Sequence, residues 1–205
     1  VPATVAVWRQ LSSESEPEVV DAATVNPGDA HTFPLAPAET GEPGRFWHGW
    51  RVRSTAPVIA SQHSPLAAMT ASSSDGSLLL PAHGMGTEYI ATGRPEGRTV
   101  ASTRTRGTLT VVAAEPGTQV TIIPSVIIDA GEALGLLPQG VQTLIPLQPH
   151  EVLHLTTSAE GDDLSGTRLY TSRPVAVFAG HEADRGATPA SVEAPGDHLE
   201  DALRP

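Results

Sequence analysis

Gly49-Trp50-Arg51-Val52-Arg53-Ser54-Thr55-Ala56-Pro57-Val58 and Gly166-Thr167-Arg168-Leu169-Tyr170-Thr171-Ser172-Arg173-Pro174-Val175 read as one pattern written twice. Gly, Arg, Pro and Val coincide in a single register. The positions between them agree in type: Val52 with Leu169, Ser54 with Thr171, Thr55 with Ser172. Working outward, Val25-Asn26-Pro27-Gly28-Asp29 lies over Leu147-Gln148-Pro149-His150-Glu151, and Thr4-Val5-Ala6-Val7 over Gln119-Val120-Thr121-Ile122. Three matches in the same order, separated by loops of unequal length, argue for an internal duplication.

The matched segments alternate and are rich in β-branched residues, the period-2 signature of strands. Strands are predicted over residues 4–8, 19–25, 30–35, 46–53, 58–63 and 88–92 in the first half, with a short buried run at 77–81. In the second half they fall at 108–114, 118–123, 141–145, 152–156, 167–171 and 175–179. Asn26-Pro27-Gly28-Asp29, Asp75-Gly76 and Glu115-Pro116-Gly117 are turn signals between them. Two stretches are open to a helical reading: a turn near residues 130–136 and a short segment at 198–203. The 19 Gly and 19 Pro in 205 residues suit short strands and tight turns and argue against long helices. The expected fold is therefore all-β, two tandem antiparallel β-sandwich modules, residues 1–98 and 99–205.

By repeat logic the two units are incomplete at opposite ends. Arg204-Pro205 stands where the first unit continues into Gly86-Thr87-Glu88-Tyr89-Ile90, and nothing in the first unit corresponds to Leu109 through Ala113. The edges left open are expected to be completed by strands of a longer chain or by each other. Val1 opens directly on a strand-like segment, so the chain is read as a mature or excised fragment.

Composition excludes several function classes. The formal net charge is −11 and all 12 basic residues are Arg. Such a surface repels phosphate backbones, so nucleic acid is not an expected partner. Without Lys there is no Schiff-base or Ser-Lys chemistry, and without Cys no disulfide, thiolate ligand or thiol nucleophile. No apolar run approaches the length of a membrane span, so membrane insertion is not expected. No nucleophile-elbow pattern is present, and the chain is read as non-enzymatic.

Binding candidates come from loops, aromatics and a charged strip. Trp47 and Trp50 flank Gly49 beside Phe46 and form an aromatic cluster suited either to core packing or to a platform for protein or sugar. His63 sits at a strand end. Residues 93–107 carry Arg94, Arg98, Arg104 and Arg106, a third of the positive charge. They are either a solvated connector that deters edge pairing or an anion-binding strip, with Arg94 and Arg98 as its first ligands.

The chain resembles the N-terminal domain of the IgG Fc-binding protein family. The resemblance spans nearly its whole length. It is carried in the first half by residues 50–60, Ser64-Pro65-Leu66, Ser77-Leu78-Leu79-Leu80-Pro81 and Gly86-Thr87-Glu88-Tyr89. In the second half it is carried by residues 109–113, 163–168, Arg173 through Glu182, and Asp197-His198-Leu199-Glu200. The resemblance implies a secreted or cell-surface protein in which this domain neighbours other adhesive modules, and it implies binding rather than catalysis. Family members carry Cys where this chain has Ala183 and Gly196. Both partners of the implied disulfide are absent together, and its loss costs about 3 kcal/mol in the chain-entropy model. If that loop folds back as the family implies, His181, Glu182, Asp197 and His198 converge, a set that could hold a divalent ion such as zinc. The competing reading ties the same residues into backbone hydrogen bonds, with Asp197 capping a short helix.

The expectation is an extracellular adhesion or binding module of a larger surface protein, recognising protein or glycan through loops at residues 36–45, 67–76 and 183–196. No cofactor is expected unless the divalent site forms. The alternatives are that metal-dependent site and a structural spacer.

Overall fold

The structure, a computed structural model, describes residues 1–35, 41–65, 74–98, 103–184 and 197–205. It is all-β with antiparallel pairing throughout, apart from one 3-10 turn at Ala82–Gly84. The strands are β1 (Ala3–Arg9), β2 (Glu18–Val25), β3 (Gly44–Phe46), β4 (Trp50–Ser54), β5 (Ser61–Pro65), β6 (Ser74–Leu78), β7 (Gly86–Ile90), β8 (Gly97–Arg98) and β9 (Arg104–Thr105). They continue with β10 (Gly107–Ala113), β11 (Thr118–Ile123), β12 (Ile128–Asp129), β13 (Leu136–Leu137), β14 (Thr143–Leu147), β15 (Val152–Thr157), β16 (Arg168–Asp184) and β17 (Asp197–Ala202).

The 17-residue β16 is the spine. Its first part pairs with β11 and β7; its second part pairs with β10 and β17. The change of partners falls at Arg173-Pro174. There the pairing with β11 has ended at Thr171, that with β10 begins at Val175, and the β7 ladder skips from Tyr170 to Val175. Pro174 has no N–H to give a ladder, so a proline inside a strand is tolerated only where the pairing is already broken. In the matching N-terminal segment, Pro57 lies beyond the end of β4.

The ten-stranded sheet built on β16 runs β13-β12-β15-β10-β16-β11-β14, with β3 added to β15 and β7 and β17 to β16. Its apolar face closes the main core, made of residues such as Leu109, Val111, Val120, Ile122, Leu153, Leu155, Leu169 and Val177, all 1% exposed or less. Burying one such side chain contributes about 1.5–3 kcal/mol. The alternation in β10, buried at every second residue, is the period-2 pattern the sequence carries. β3 and β7 come from the first half of the chain, so the halves are joined by strand pairing.

A separate three-stranded sheet, β2-β1-β4, forms from the first 54 residues. It repeats the order and register of β14-β11-β16. β1 pairs Val5 with Ser54, Ala6 with Arg53 and Val7 with Val52, while β11 pairs Val120 with Thr171, Thr121 with Tyr170 and Ile122 with Leu169. Ala3 opposes Val25 as Thr118 opposes Leu147. Each pair is the counterpart of the other in the sequence match. The turns after β2 and β14 also correspond. Asp29 N–H donates to Asn26 O at 3.0 Å and Glu151 N–H to Gln148 O at 3.1 Å. The residue after each proline has positive φ, +88° at Gly28 and +66° at His150. Pro at the second position and positive φ at the third make a type II turn, and glycine meets that demand freely while histidine does so at a cost of about 1–2 kcal/mol.

Several expected elements differ. Residues 31–35 form no strand; Pro34 interrupts that run. The strand expected over 46–53 is broken between β3 and β4, because Gly49 crosses directly over the His150 backbone. A Cβ at Gly49 would lie 2.5 Å from His150 O. The stretch near 130–136 is a tight hairpin between β12 and β13, held by positive φ at Gly131 and Gly135 and by Gly131 N–H donating to Asp129 Oδ1 at 2.9 Å. The helical option at 198–203 is instead β17, since the open edge of β16 offers main-chain partners that outweigh local propensity. The described residues contain no helix long and apolar enough to cross a membrane.

Candidate functional site

The arginine strip is fully engaged. Arg94 pairs with Asp184 at 3.4 Å, Arg98 with Glu160 at 2.6 Å, Arg104 with Glu96 at 2.6 Å, and Arg106 with Glu182 at 2.6 Å and Glu42 at 3.3 Å. Glu96 is the most demanding member, its carboxylate having no exposed surface. Burial acts to raise its pKa. Hydrogen bonds from Arg104 and Thr157 and the charges of Arg104 and Arg106 outweigh that, and the carboxyl lies below its usual range. Arg104 also donates to Ser158 O at 2.8 Å, so the pair ties β9 to the end of β15. A shallow cavity of about 330 Å³ opens between Glu42, Thr103, Arg104, Arg106 and Glu182. The arginines here answer internal carboxylates.

His181 is buried and both its ring nitrogens are used. Nε2 donates to Pro95 O at 3.2 Å, and Nδ1 accepts from Ala183 N–H at 3.2 Å, which assigns the neutral Nε2–H tautomer. His181 opposes Leu199 across the β16–β17 ladder, so His198 and Glu182 project to the other face of the sheet. Glu182 is held there by Arg106. Among the described residues no three His, Asp or Glu side chains gather in a geometry able to hold a metal. For Asp197 only the backbone is described, pairing with Asp184.

The face carrying Glu182 also carries His154, which sequence reading did not single out. His154 is 7% exposed and shares a 2.9 Å hydrogen bond with Thr110 Oγ1 through Nδ1. Burial, then the Arg106 charge, pushes its pKa from 6.5 to about 4, with Glu182 acting the other way and His198 adding to the depression. Nearby, β6 docks on β17. Asp75 accepts the Glu200 N–H, Gln62 donates to the Glu200 carboxylate, and Ser77 Oγ accepts from Ala202 N–H at 2.8 Å. Burial and then the charge of Asp75 raise Glu200.

His63 lies on the outer side of this β5–β6 hairpin, exposed and 3.1 Å from Ser61 Oγ through Nε2. Trp47 and Trp50 are half-buried and do not share a strand, since Trp47 falls in the break before β4. Residues 36–40, 66–73 and 185–196, most of the three expected recognition loops, lie outside the described residues.

Among the described residues, arginines without an internal carboxylate partner include two on the β2-β1-β4 sheet, besides Arg168 and Arg204 elsewhere. Arg51 and Arg53 alternate on one face of β4, both exposed. Neither forms an ion pair among the described residues. Arg53 stacks over the Trp8 ring at 5.4 Å, and Arg51 opposes Trp8 across the ladder. The Trp8 Nε1–H is buried and has no acceptor. His150 stands beside them: burial lowers its pKa, and the charges of Arg51 and Arg53 lower it further. Val19, which opposes Trp8 across the β1–β2 ladder, is 47% exposed. A cationic and aromatic patch beside one exposed valine, on a chain of net charge −11, is suited to an acidic protein surface. The signal available in the sequence was Arg-Val-Arg at strand period opposite a Trp.

Residues 75–205 match a family model described as IgGFc binding protein. The match begins in β6, upstream of β7, and covers more than half of the chain. No curated protein and no solved structure matches.

Proposed function

The chain belongs to the IgGFc binding protein family, and from that premise we propose that it is a non-enzymatic, extracellular adhesion module that binds a protein partner. The partner is acidic where it meets the module, and the recognition surface is one face of the β2-β1-β4 sheet, with Trp8, Arg51 and Arg53 at its centre. The observation that carries this reading is the contrast in arginine use. Arg94, Arg98, Arg104 and Arg106 are consumed by internal carboxylates, whereas Arg51 and Arg53 are presented to solvent beside an aromatic ring. An exposed guanidinium over an aromatic face contributes about 0.5–1 kcal/mol on its own and gains when a partner excludes water.

The module descends, in this reading, from a duplicated strand set with halves at residues 1–98 and 99–205. The shared register of β2-β1-β4 and β14-β11-β16 supports that origin. Neighbouring domains of a longer surface protein would set the spacing of the patch from the cell.

A solid-phase screen of the purified chain against secreted and surface proteins, with a glycan array in parallel, tests the function. Protein hits that weaken with salt and are lost in the R51E/R53E variant are the expected result. Binding confined to glycans, or protein binding indifferent to the double reversal, overturns the assignment. A chain that binds nothing on either array is a spacer, and binding that needs added zinc favours the metal-dependent alternative.

A further inference from the structure

We propose that the β5–β6 hairpin is a detachable cover on the outer edge of β17, closed in acid and released as pH rises, with Asp75 and Glu200 as its latch. The inference stands apart from the protein-binding reading. β17 uses one edge to pair with β16, and Leu203 N–H continues that pairing by donating to Val177 O at 2.8 Å. The N–H groups of Glu200 and Ala202 point the other way. A further strand would meet them with main-chain carbonyls, but β6 meets them with side chains. Asp75 accepts from Glu200 N–H, while Ser77 Oγ accepts from Ala202 N–H at 2.8 Å and donates to Asp201 Oδ1 at 3.3 Å. The match is one of spacing: Asp75 and Ser77 share a face of β6 at the same two-residue interval that separates the two amides of β17. β5 and β6 form a two-stranded sheet of their own, with no ladder to β17. Among the described residues, none between 60 and 79 belongs to the main apolar core. The attachment to β17 is polar, and elements outside the buried core open at a lower free energy than the whole fold.

The latch brings two carboxylates together. Gln62 donates to the Glu200 carboxylate, and Asp75 holds the Glu200 N–H. Around them, β16 places Gly180 opposite Glu200, with Glu182, held by Arg106, further along the same face. β17 places His198 on that face and Asp201 on the opposite one, and His63 lies on the outer side of the hairpin. Burial, and then the charge of Asp75, raise the Glu200 carboxyl. With the hairpin away both causes are removed, and Glu200 titrates at its ordinary value. The docking strength this group contributes is therefore full below that ordinary value and lost as pH rises through the raised one. Beyond it, two ionised carboxylates share one buried contact and drive the hairpin off. What is left bare is a pair of main-chain donors on a strand edge, a feature that folded proteins keep covered.

Amide hydrogen exchange of the full chain tests this, with rates converted to protection factors at each pH from about 5 to about 8. The expected result is a fall of at least about tenfold at Glu200 and Ala202 across that range. Leu203, bonded to β16, and the amides of β10 should not follow. Glu200→Gln should keep the hairpin shut throughout, with high protection and no slope. Asp75→Asn, which retains an acceptor for the Glu200 N–H, should flatten the slope. Ser77→Ala should lower protection at Ala202 at every pH and leave the slope in place. Protection retained in β10 shows that each variant is folded. A flat profile in the unmodified chain, its slope retained in Glu200→Gln, an Ala202 amide indifferent to Ser77→Ala, or a fall shared with β10 overturns the inference.

Discussion

Acidification should weaken this protein through one histidine. His154 is held neutral in the fold, its pKa lowered from 6.5 to about 4, while in the unfolded chain it titrates at its ordinary value. Between those two pKa values the unfolded state binds the additional proton, so stability falls as pH drops from 6.5 to about 4 and is unaffected by this group above or below that window. At about 1.4 kcal/mol per pH unit the full loss is about 3 kcal/mol, a large part of the 5–15 kcal/mol that typically holds a domain together. Urea unfolding at half-unit steps from pH 7.5 to 4 measures it, with His154→Gln as the comparison. The variant starts lower, having lost packing and the Thr110 bond, so the two slopes are compared and not the absolute values. Wild type should lose about 3 kcal/mol more than the variant across the window. Parallel curves would refute the burial argument and place water against the ring.

Three further outcomes follow from described contacts. Glu200, raised by burial and by Asp75, contributes stability that is full below its unfolded pKa and lost as pH rises through the folded one. Glu200→Gln should therefore stabilise at pH 7 and give no gain at pH 4 in the same urea assay. Arg104→Ala leaves the Glu96 carboxylate buried beside Thr157 without its cation and should cost about 3 kcal/mol. Adding Glu96→Gln should recover part of that loss, as a double-mutant cycle by thermal unfolding would measure. Tyr89→Phe removes the bonds to Val175 O and Gly86 N–H and should cost about 1–3 kcal/mol, with hydrogen exchange quickening first in β7.

The strands were legible because their side chains alternate: residues 107–113 and 118–123 carry the burial rhythm that the structure shows. The residues matched between the halves in sequence also occupy matching ladder positions, Val5 opposite Ser54 as Val120 opposite Thr171. Partnership was not legible. No local feature says that Gly86–Ile90 leaves its own half to pair with β16, since pairing depends on which edge is open in three dimensions. For the same reason residues 198–203, polar and able to start a helix, end as a strand. At the candidate site, clustering in sequence did not reveal pairing in space. The four arginines that stand out by clustering are those the fold consumes, and whether a carboxylate waits across space is not written beside the arginine. Arg51 and Arg53 were visible only as members of the matched sequence pattern. His154 gave no signal, being an isolated histidine in an apolar strand whose surroundings come from residues 106, 182 and 198.

The position of β7 governs where this molecule can be cut. A fragment starting at residue 99 would keep β10 through β17 yet expose the flank of Arg168–Tyr170 and remove the Tyr89 ring from the main core. Such a truncation would leave a bare sheet margin prone to sticking to its own copies. Shuffling or excising the back half intact therefore requires a breakpoint ahead of Gly86, a place the family match, opening at residue 75, already respects.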